Sequence, residues 1–273
     1  MTDIGATFRE LHKPGDPFLL FNAWDMGSAR MMEALGAEAI ATTSAGHAFT
    51  QGRVDGGTLT RDEALAHAQD LVSVVKIPAS GDFENGFGEA PDVVAETIRL
   101  AAEVGLAGCS IEDTALPEFT PYAFDLSVER IRAAASAARA VPGDFVLVAR
   151  ADGVMMDSYD CDEAIRRIQA YEAAGADCVY VPVPPNKDEM SRIITSVSVP
   201  VNVLASGQFS TLTRRDFAKM GAARLSIGAA LARVAYGAAI DVVSGMLGGD
   251  FSGLARAIDE DDINKLLIRN NGD

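Results

Sequence analysis

Ser80-Gly81-Asp82-Phe83-Glu84-Asn85-Gly86 and, downstream, Ser110-Ile111-Glu112-Asp113 are the stretches on which the reading of this chain turns. Each follows a short apolar run, Lys76-Ile77-Pro78-Ala79 in the first case and Leu106-Ala107-Gly108-Cys109 in the second, and such runs read as buried parallel strands. The carboxylates arrive where the strands stop. Asp82 and Glu84 flank Phe83, so in extended backbone they share one face, and Glu112 converges on them from the neighbouring strand. Three carboxylates without an adjacent Lys or Arg repel one another unless a cation lies between them. That pattern points to a hard divalent ion, most simply Mg²⁺ or otherwise Mn²⁺, held by few protein ligands and several waters. The same acids read as solvated loop or helix-capping residues if no ion is bound.

Working outward, the alternation of strand and helix repeats along the chain. Ile4–Leu11 reads as a leading helix ended by Pro14-Gly15, and Phe18–Asn22 as the first strand, followed by a helix from Met26 to Leu35 that stops at Gly36. Ala39–Thr43 is the second strand, and Thr60 to Val75 its helix, with Thr60 and Glu63 spaced as a capping box. Strands three to five are read at Ile77–Asp82, Ala107–Glu112 and Phe145–Arg150. Their helices run from Ala90 to Val104, from Ser127 (as N-cap) to Ala140, and from Cys161 to Ala174. Cys178–Val181, Val201–Leu204 and Arg224–Gly228 complete the strands, with helices near Lys187–Ser196 and Thr213–Met220 between them. Eight such units predict a single (β/α)8 barrel over residues 15 to 230, whose chemistry sits at the C-terminal strand ends. An open doubly wound sheet would instead show a glycine-rich phosphate turn after strand one, and Asn22-Ala23-Trp24-Asp25 is not one.

Composition narrows the function. A chain of 273 residues that is 48% hydrophobic can bury one full-sized core, and a net charge of −16 leaves no basic patch for nucleic acid. A small anionic substrate would then need a local metal or arginine to overcome the field. Three cysteines without a C-x-x-C pair argue against a disulfide scaffold or structural zinc and fit a reducing cytoplasm. The N-terminus lacks the apolar core of a signal peptide, and no uninterrupted apolar run approaches the length of about eighteen residues expected of a membrane span.

The polar residues at the strand ends are Ser44-Ala45-Gly46 after strand two, Asp82 and Glu84 after three, Glu112 after four, Arg150 after five and Asn202 on seven; Asp55 sits in the long loop after strand two. Thr43-Ser44-Ala45-Gly46, Gly52-Arg53-Val54-Asp55-Gly56, Ser80 to Gly88, Ser110 to Asp113 and Val148-Ala149-Arg150-Ala151-Asp152 occur in that order. In these five pieces the chain resembles the isocitrate lyase and phosphoenolpyruvate mutase superfamily from about residue 15 to 235. The resemblance implies a site that stabilises the enolate of a 2-oxo acid. By position it implies Asp82 as direct Mg²⁺ ligand, with Asp55, Glu84 and Glu112 on metal-bound waters. It implies the Ser44, Ala45 and Gly46 amides as a cradle for the substrate carboxylate, and Arg150 as donor to its carboxylate or enolate oxygen. A 2-oxo acid chelates a cation, and an arginine opposite adds a charge-assisted donor, so the physics agrees. Read from the residues alone, Arg150 also suits a core ion pair, Asn202 a strand-end hydrogen bond and Asp55 a turn.

Departures select the reaction. The superfamily's isocitrate and methylisocitrate lyases carry a loop after strand four with a Lys-x-Cys-Gly-His type motif, and a glutamate after the proline of strand six. Here the loop from Asp113 to Tyr122 has no cysteine, lysine or histidine, and Val183 follows Pro182. Both argue against a tricarboxylate substrate. The loop also lacks the lysine and asparagine of the phosphonopyruvate-processing members. Cys109 reads as strand core. For proton transfer the candidates are His47, directly after Gly46, and Glu118 and Tyr122 in the loop, which closes over the site through Phe119, Tyr122 or Phe124. His12 and His67 read as surface or packing.

The expectation is a Mg²⁺-dependent lyase that cleaves a carbon–carbon bond of a small 2-oxo or 2-hydroxy dicarboxylate of oxaloacetate-like size. Carbon–phosphorus chemistry on a phosphonopyruvate-type acid is the alternative, and a non-catalytic metabolite-binding barrel the third reading. Beyond the barrel, Ala229–Met246 reads as a helix with an apolar stripe of Leu231, Val234, Ala235, Ala238 and Val242, then Gly248-Gly249 and a helical tail from Phe251 to Arg269. The stripe either packs on its own barrel or, as the resemblance implies, is exchanged between subunits of a homotetramer; a homodimer is the smaller assembly considered.

Overall fold

The computed structural model describes residues 3–268. The elements are, in order, α1 (Ile4–Leu11), β1 (Phe18–Asn22), α2 (Met26–Ala34), β2 (Ala39–Ala41), α3 (Ser44–Thr50), α4 (Arg61–Val74), β3 (Ala79–Asp82), α5 (Pro91–Glu103) and β4 (Gly108–Glu112). Two short strands, β5 (Thr114–Ala115) and β6 (Thr120–Pro121), precede α6 (Phe124–Ala140). There follow β7 (Val146–Arg150), α7 (Cys161–Ala174), β8 (Cys178–Tyr180), α8 (Lys187–Thr195), β9 (Val201–Leu204), α9 (Arg214–Met220), β10 (Arg224–Ser226), α10 (Ala230–Leu247) and α11 (Glu260–Leu267). Eight parallel strands close into a barrel in the order β1-β10-β9-β8-β7-β4-β3-β2. This is the (β/α)8 fold that the alternating pattern predicts.

Local chemistry explains most boundaries. Thr60 and Glu63 form the capping box at α4, Asp160 caps α7, and α7 ends on Gly175 in the left-handed region. Helix α1 closes the N-terminal end of the barrel: Phe8 is fully buried against Phe18, while Arg9 reaches Asp144 at 2.6 Å and Asp177 at 2.7 Å ahead of β7 and β8. With that end plugged, the barrel interior is reached from the C-terminal mouth.

Four expectations need correction. Helix α6 starts at Phe124, three residues before Ser127, whose hydroxyl lies inside the helix and donates to the Phe124 carbonyl. The segment after strand two turns at once into α3, because Thr43 caps it through the Gly46 N–H. Glycine is required at position 46 by packing: a Cβ there would lie 2.5 Å from Thr43 Cγ2 and 2.9 Å from Trp24 Cβ. The tail is not one helix but a 3₁₀ turn at Ser252–Arg256 followed by α11, and Arg269 lies outside the described residues. Finally, of the two readings of the α10 stripe, packing of its whole length on its own barrel does not hold, since Leu231 alone of the stripe packs against the barrel core. Only Ala232 of its eighteen residues is buried, and Val234, Ile240 and Val243 are more than half exposed. By length and mean hydropathy (1.4) α10 also meets the size of a membrane span, although Arg233 and Asp241 interrupt it.

Candidate active site

Strand ends β3, β4 and β7 deliver Asp82, Glu112 and Arg150 to one cavity of about 560 Å³ at the C-terminal mouth, and Asp55, Glu84, Ser44, Ala45 and Asn202 line it with them. Arg150 is the hub. Its Nη1 donates to Asp82 at 2.9 Å, its Nη2 lies 3.1 Å from Glu112, and Nε and Nη2 grip Asp152 at 3.1 and 2.6 Å. The sequence shows no Lys or Arg next to the acids along the chain; the structure supplies one from β7, the strand paired with β4, where Arg150 stands in register with Glu112. Asp152, only 2% exposed, was missed as a site residue. Its signal is present in the alternation of Arg150 and Asp152 about Ala151. Asp113 holds Asp152 in turn by accepting the Asp152 N–H at 2.9 Å, and it is itself bound by Tyr159, Tyr171 and Arg167.

Asp82 accepts from Arg150 and Ser110 on one oxygen and from the Ser44 N–H (3.1 Å) and hydroxyl (3.2 Å) on the other. Asp55 accepts from the same Ser44 hydroxyl at 3.3 Å. Glu84 reaches the site by a different route from the one expected. Its φ of 44° is left-handed, so β3 ends at Asp82 and a tight turn swings the glutamate, whose Oε1 accepts the Gly57 N–H at 3.2 Å. The amide cradle is also altered, since the Ser44 N–H is taken by Asp82 and the Gly46 N–H by Thr43, and Gly46 does not line the cavity.

The electrostatics fit a cation. Burial, with the neighbouring Asp82 charge, raises the Asp55 carboxyl above its ordinary range; burial raises Glu84 to about 7 and pushes Glu112 up against the pull of Arg150. The five carboxylates Asp55, Asp82, Glu84, Glu112 and Asp152 outnumber the three guanidiniums that line the cavity, Arg150, Arg224 and Arg233. Among the described residues no three carboxylate, histidine or cysteine side chains close on a point, so an ion here would keep most of its waters, as Mg²⁺ does.

The three proton-transfer candidates lie elsewhere. His47 stacks on His67 with ring centroids 3.8 Å apart, behind α3, and burial keeps both imidazoles below their ordinary range. Tyr122 is buried under Arg130 and accepts from Asn85 at 3.1 Å, so it serves packing. Glu118 is exposed outside the cavity. The loop forms the β5/β6 hairpin, and of its aromatics Phe119 alone reaches the mouth, over Gly56, while Phe124 lies under Arg166 and Arg167.

Comparison with known proteins agrees with this geometry. The family model described as phosphoenolpyruvate phosphomutase matches residues 8–247. An uncharacterized protein of Mycobacterium tuberculosis (strain H37Rv) is 34% identical over 223 residues, 81% of each chain. The 2,3-dimethylmalate lyase of Eubacterium barkeri is 28% identical over 229 residues, 80% of this chain and 78% of its own. A crystal structure from Burkholderia cenocepacia J2315, provisionally assigned as a lyase/mutase, superposes with a TM-score of 0.93 at 43% identity and 98% coverage of both chains.

Proposed function

Since the chain belongs to the phosphoenolpyruvate mutase family of the isocitrate lyase superfamily, we propose that it is a Mg²⁺-dependent lyase cleaving a carbon–carbon bond of a small 2-oxo or 2-hydroxy dicarboxylate, oxaloacetate-like in size. The observation that carries this reading is the gathering of Asp55, Asp82, Glu84 and Glu112 in one cavity with Arg150, which pairs with Asp82 and Glu112. Asp82 would hold the ion directly, and Asp55, Glu84 and Glu112 its waters. When bound, Mg²⁺ supplies Lewis-acid polarisation of the 2-oxo group. Arg150 donates to the carboxylate or enolate oxygen as negative charge grows there, with its plane fixed by Asp152. Ser44 and Ala45 line the cavity where the substrate carboxylate would lie, with the Ser44 donors released to it as Asp82 turns to the ion, and Asn202 lies on the cavity wall. Phe119, with Leu116 and Met156, limits water entry.

Pyruvate release from oxaloacetate in Mg²⁺, abolished by EDTA and by Asp82→Ala, is the expected result. Full activity in EDTA-treated protein would remove the metal from the reading. Phosphonopyruvate as substrate tests the second reading, favoured by the description of the matching family model; phosphate release with no turnover of oxaloacetate would establish it. Assembly follows from α10. Its exposed Val234, Ile240, Val243 and Leu247 support exchange between subunits of a homotetramer, or a homodimer, in a cytoplasmic protein whose three cysteines are free and buried. Monomer mass by light scattering at micromolar protein would reject the assembly.

A further inference from the structure

Below the acids, the barrel interior holds a second cation that neither the motifs nor the reaction accounts for. Side chains two apart on a strand share a face, so the inward position of Ser226 places Arg224 inward as well, beside Asn202 in register. Arg224 is 5% exposed, and its Nε and Nη1 have no acceptor among the described residues. The Asn202 carbonyl oxygen and the Ser80 hydroxyl are likewise buried without partners, while Asn202 Nδ2 donates to Ser226 at 2.9 Å. Interior positions of such barrels are ordinarily filled by branched apolar residues. Here Arg224 stands in register between Phe18 and Asn202, and the active-site cavity descends to it.

Among the described residues no carboxylate below forms an ion pair with this guanidinium. His12, on the plug helix, is held neutral by burial, its imidazole pushed down to about 3, and Phe8 and Phe18 pack around it. Above, both oxygens of Asp82 are already engaged by Arg150, Ser44 and Ser110. A buried charge is retained against its desolvation only when paired, so the arrangement calls for an anion that enters through the cavity.

We propose that Arg224, with Asn202 and Ser226, is the floor of the substrate cavity and receives the second carboxylate of a dicarboxylate whose first lies beside Arg150. This deepens the lyase reading and rests on it for the position of the first carboxylate. A planar guanidinium with free donors suits a carboxylate, and rotation of the Asn202 amide turns its N–H₂ toward the same group. The floor therefore discriminates diacids from monoacids, a choice the loop over the mouth does not make.

Calorimetry of the full chain with Mg²⁺ present would compare malate, as both enantiomers, with 2-hydroxybutyrate, which replaces only the distal carboxylate by a methyl. Wild-type protein is expected to prefer one malate enantiomer by at least about tenfold. In Arg224→Met that preference disappears: malate weakens to the level of 2-hydroxybutyrate, whose own affinity stays within a factor of about three. Arg224→Lys keeps the charge without the fork and should retain part of the preference, which provides the reading if the Met variant fails to fold. Survival of the preference in Arg224→Met, equal weakening of both acids, or a wild-type protein that binds neither or does not distinguish them overturns the proposal. Because binding is read, a malate preference in a protein that turns over no diacid would sink the lyase reading alone.

Discussion

Replacing Arg150 by Lys keeps the positive charge and removes the planar fork, so it isolates what the fork does. The guanidinium makes four contacts at once, to Asp82 at 2.9 Å, to Glu112 at 3.1 Å and to the two oxygens of Asp152 at 2.6 and 3.1 Å. A lysine ammonium is a single centre and cannot span three carboxylates from the end of β7. At least one charge-assisted hydrogen bond is lost, at roughly 1.5 to 3 kcal/mol each. If that loss is felt in the transition state, where the same donors face growing charge, kcat/KM should fall about tenfold to a thousandfold, at about 1.4 kcal/mol per decade. The assay is steady-state release of pyruvate from oxaloacetate, with oxalate affinity measured in parallel to separate binding from turnover. Asp152→Asn should give a smaller loss. Combined with Arg150→Lys it should cost less than the sum, because both changes loosen one clamp. An unchanged kcat/KM in Arg150→Lys, or strict additivity with Asp152→Asn, would refute the clamp and leave Arg150 a structural ion-pair partner.

Glu84 contributes to the pH dependence of the metal-free protein, in the same direction as Asp55, Glu112 and Asp152, whose carboxyls burial also raises. Its folded pKa, raised to about 7 by burial, lies above the ordinary value of 4.5. The associated stability is therefore complete below about pH 4.5 and lost as pH rises through 7, on the order of 3 kcal/mol. EDTA-treated protein should melt lower at pH 8 than at pH 5.5; Glu84→Gln should flatten that slope, and Mg²⁺ should raise Tm more at the higher pH. Gly56→Ala should raise KM with little effect on the barrel, because at φ +90° its Cβ would stand 2.2 Å from Phe119 Cζ and push that ring off the mouth. Normal KM would mean that Phe119 does not cover the substrate. Ile240→Asp, on the exposed face of α10, should shift light scattering toward the monomer mass without lowering the monomer's own helicity, and an unmoved mass would exclude this face as the contact.

The barrel was legible because each of its signals is local. Periodicity, the Thr60/Glu63 box and the stop glycines Gly36, Gly105 and Gly175 act within a few residues of where they appear. What failed required knowledge of direction. Extended backbone through Asp82-Phe83-Glu84 was the simplest assumption, yet Phe83 is needed in the core and a left-handed Glu84 is how the chain turns there. His47 follows the right residue but sits in the last turn of a short helix, on the side that faces α4, so it meets His67 instead of substrate. Glu118 and Tyr122 occupy a hairpin whose register only the tertiary fold sets. Asp152 carried a readable signal, since it shares a face with Arg150, which was already assigned to the mouth; Arg224 carried one only as a charged residue inside a strand run, and such residues are the ones to follow down the barrel.

With His47, Glu118 and Tyr122 outside the cavity, a proton for the enolate carbon must come from the wall or from water. Glu112 faces Arg150 at 3.1 Å and Asp82 is bound by both Arg150 and Ser44, so each is already engaged by a cation or a donor. Glu84 has no cationic partner within bonding distance among the described residues; its one recorded donor is the Gly57 N–H, and its pKa near 7 leaves it partly protonated at neutral pH. It is the wall group best matched to hand over a proton. Glu84→Gln preserves shape and an acceptor for Gly57 while removing the acidic proton, so oxalate and Mg²⁺ should still bind and turnover should fall about a hundredfold or more. The alkaline limb of the kcat profile should vanish with it, since that limb reports loss of the same proton as pH rises through the group's pKa. Bound Mg²⁺ would move the limb to lower pH by favouring the carboxylate. If Glu84→Gln turns over at the wild-type rate, solvent delivers the proton and the raised pKa of Glu84 is a consequence of its burial alone.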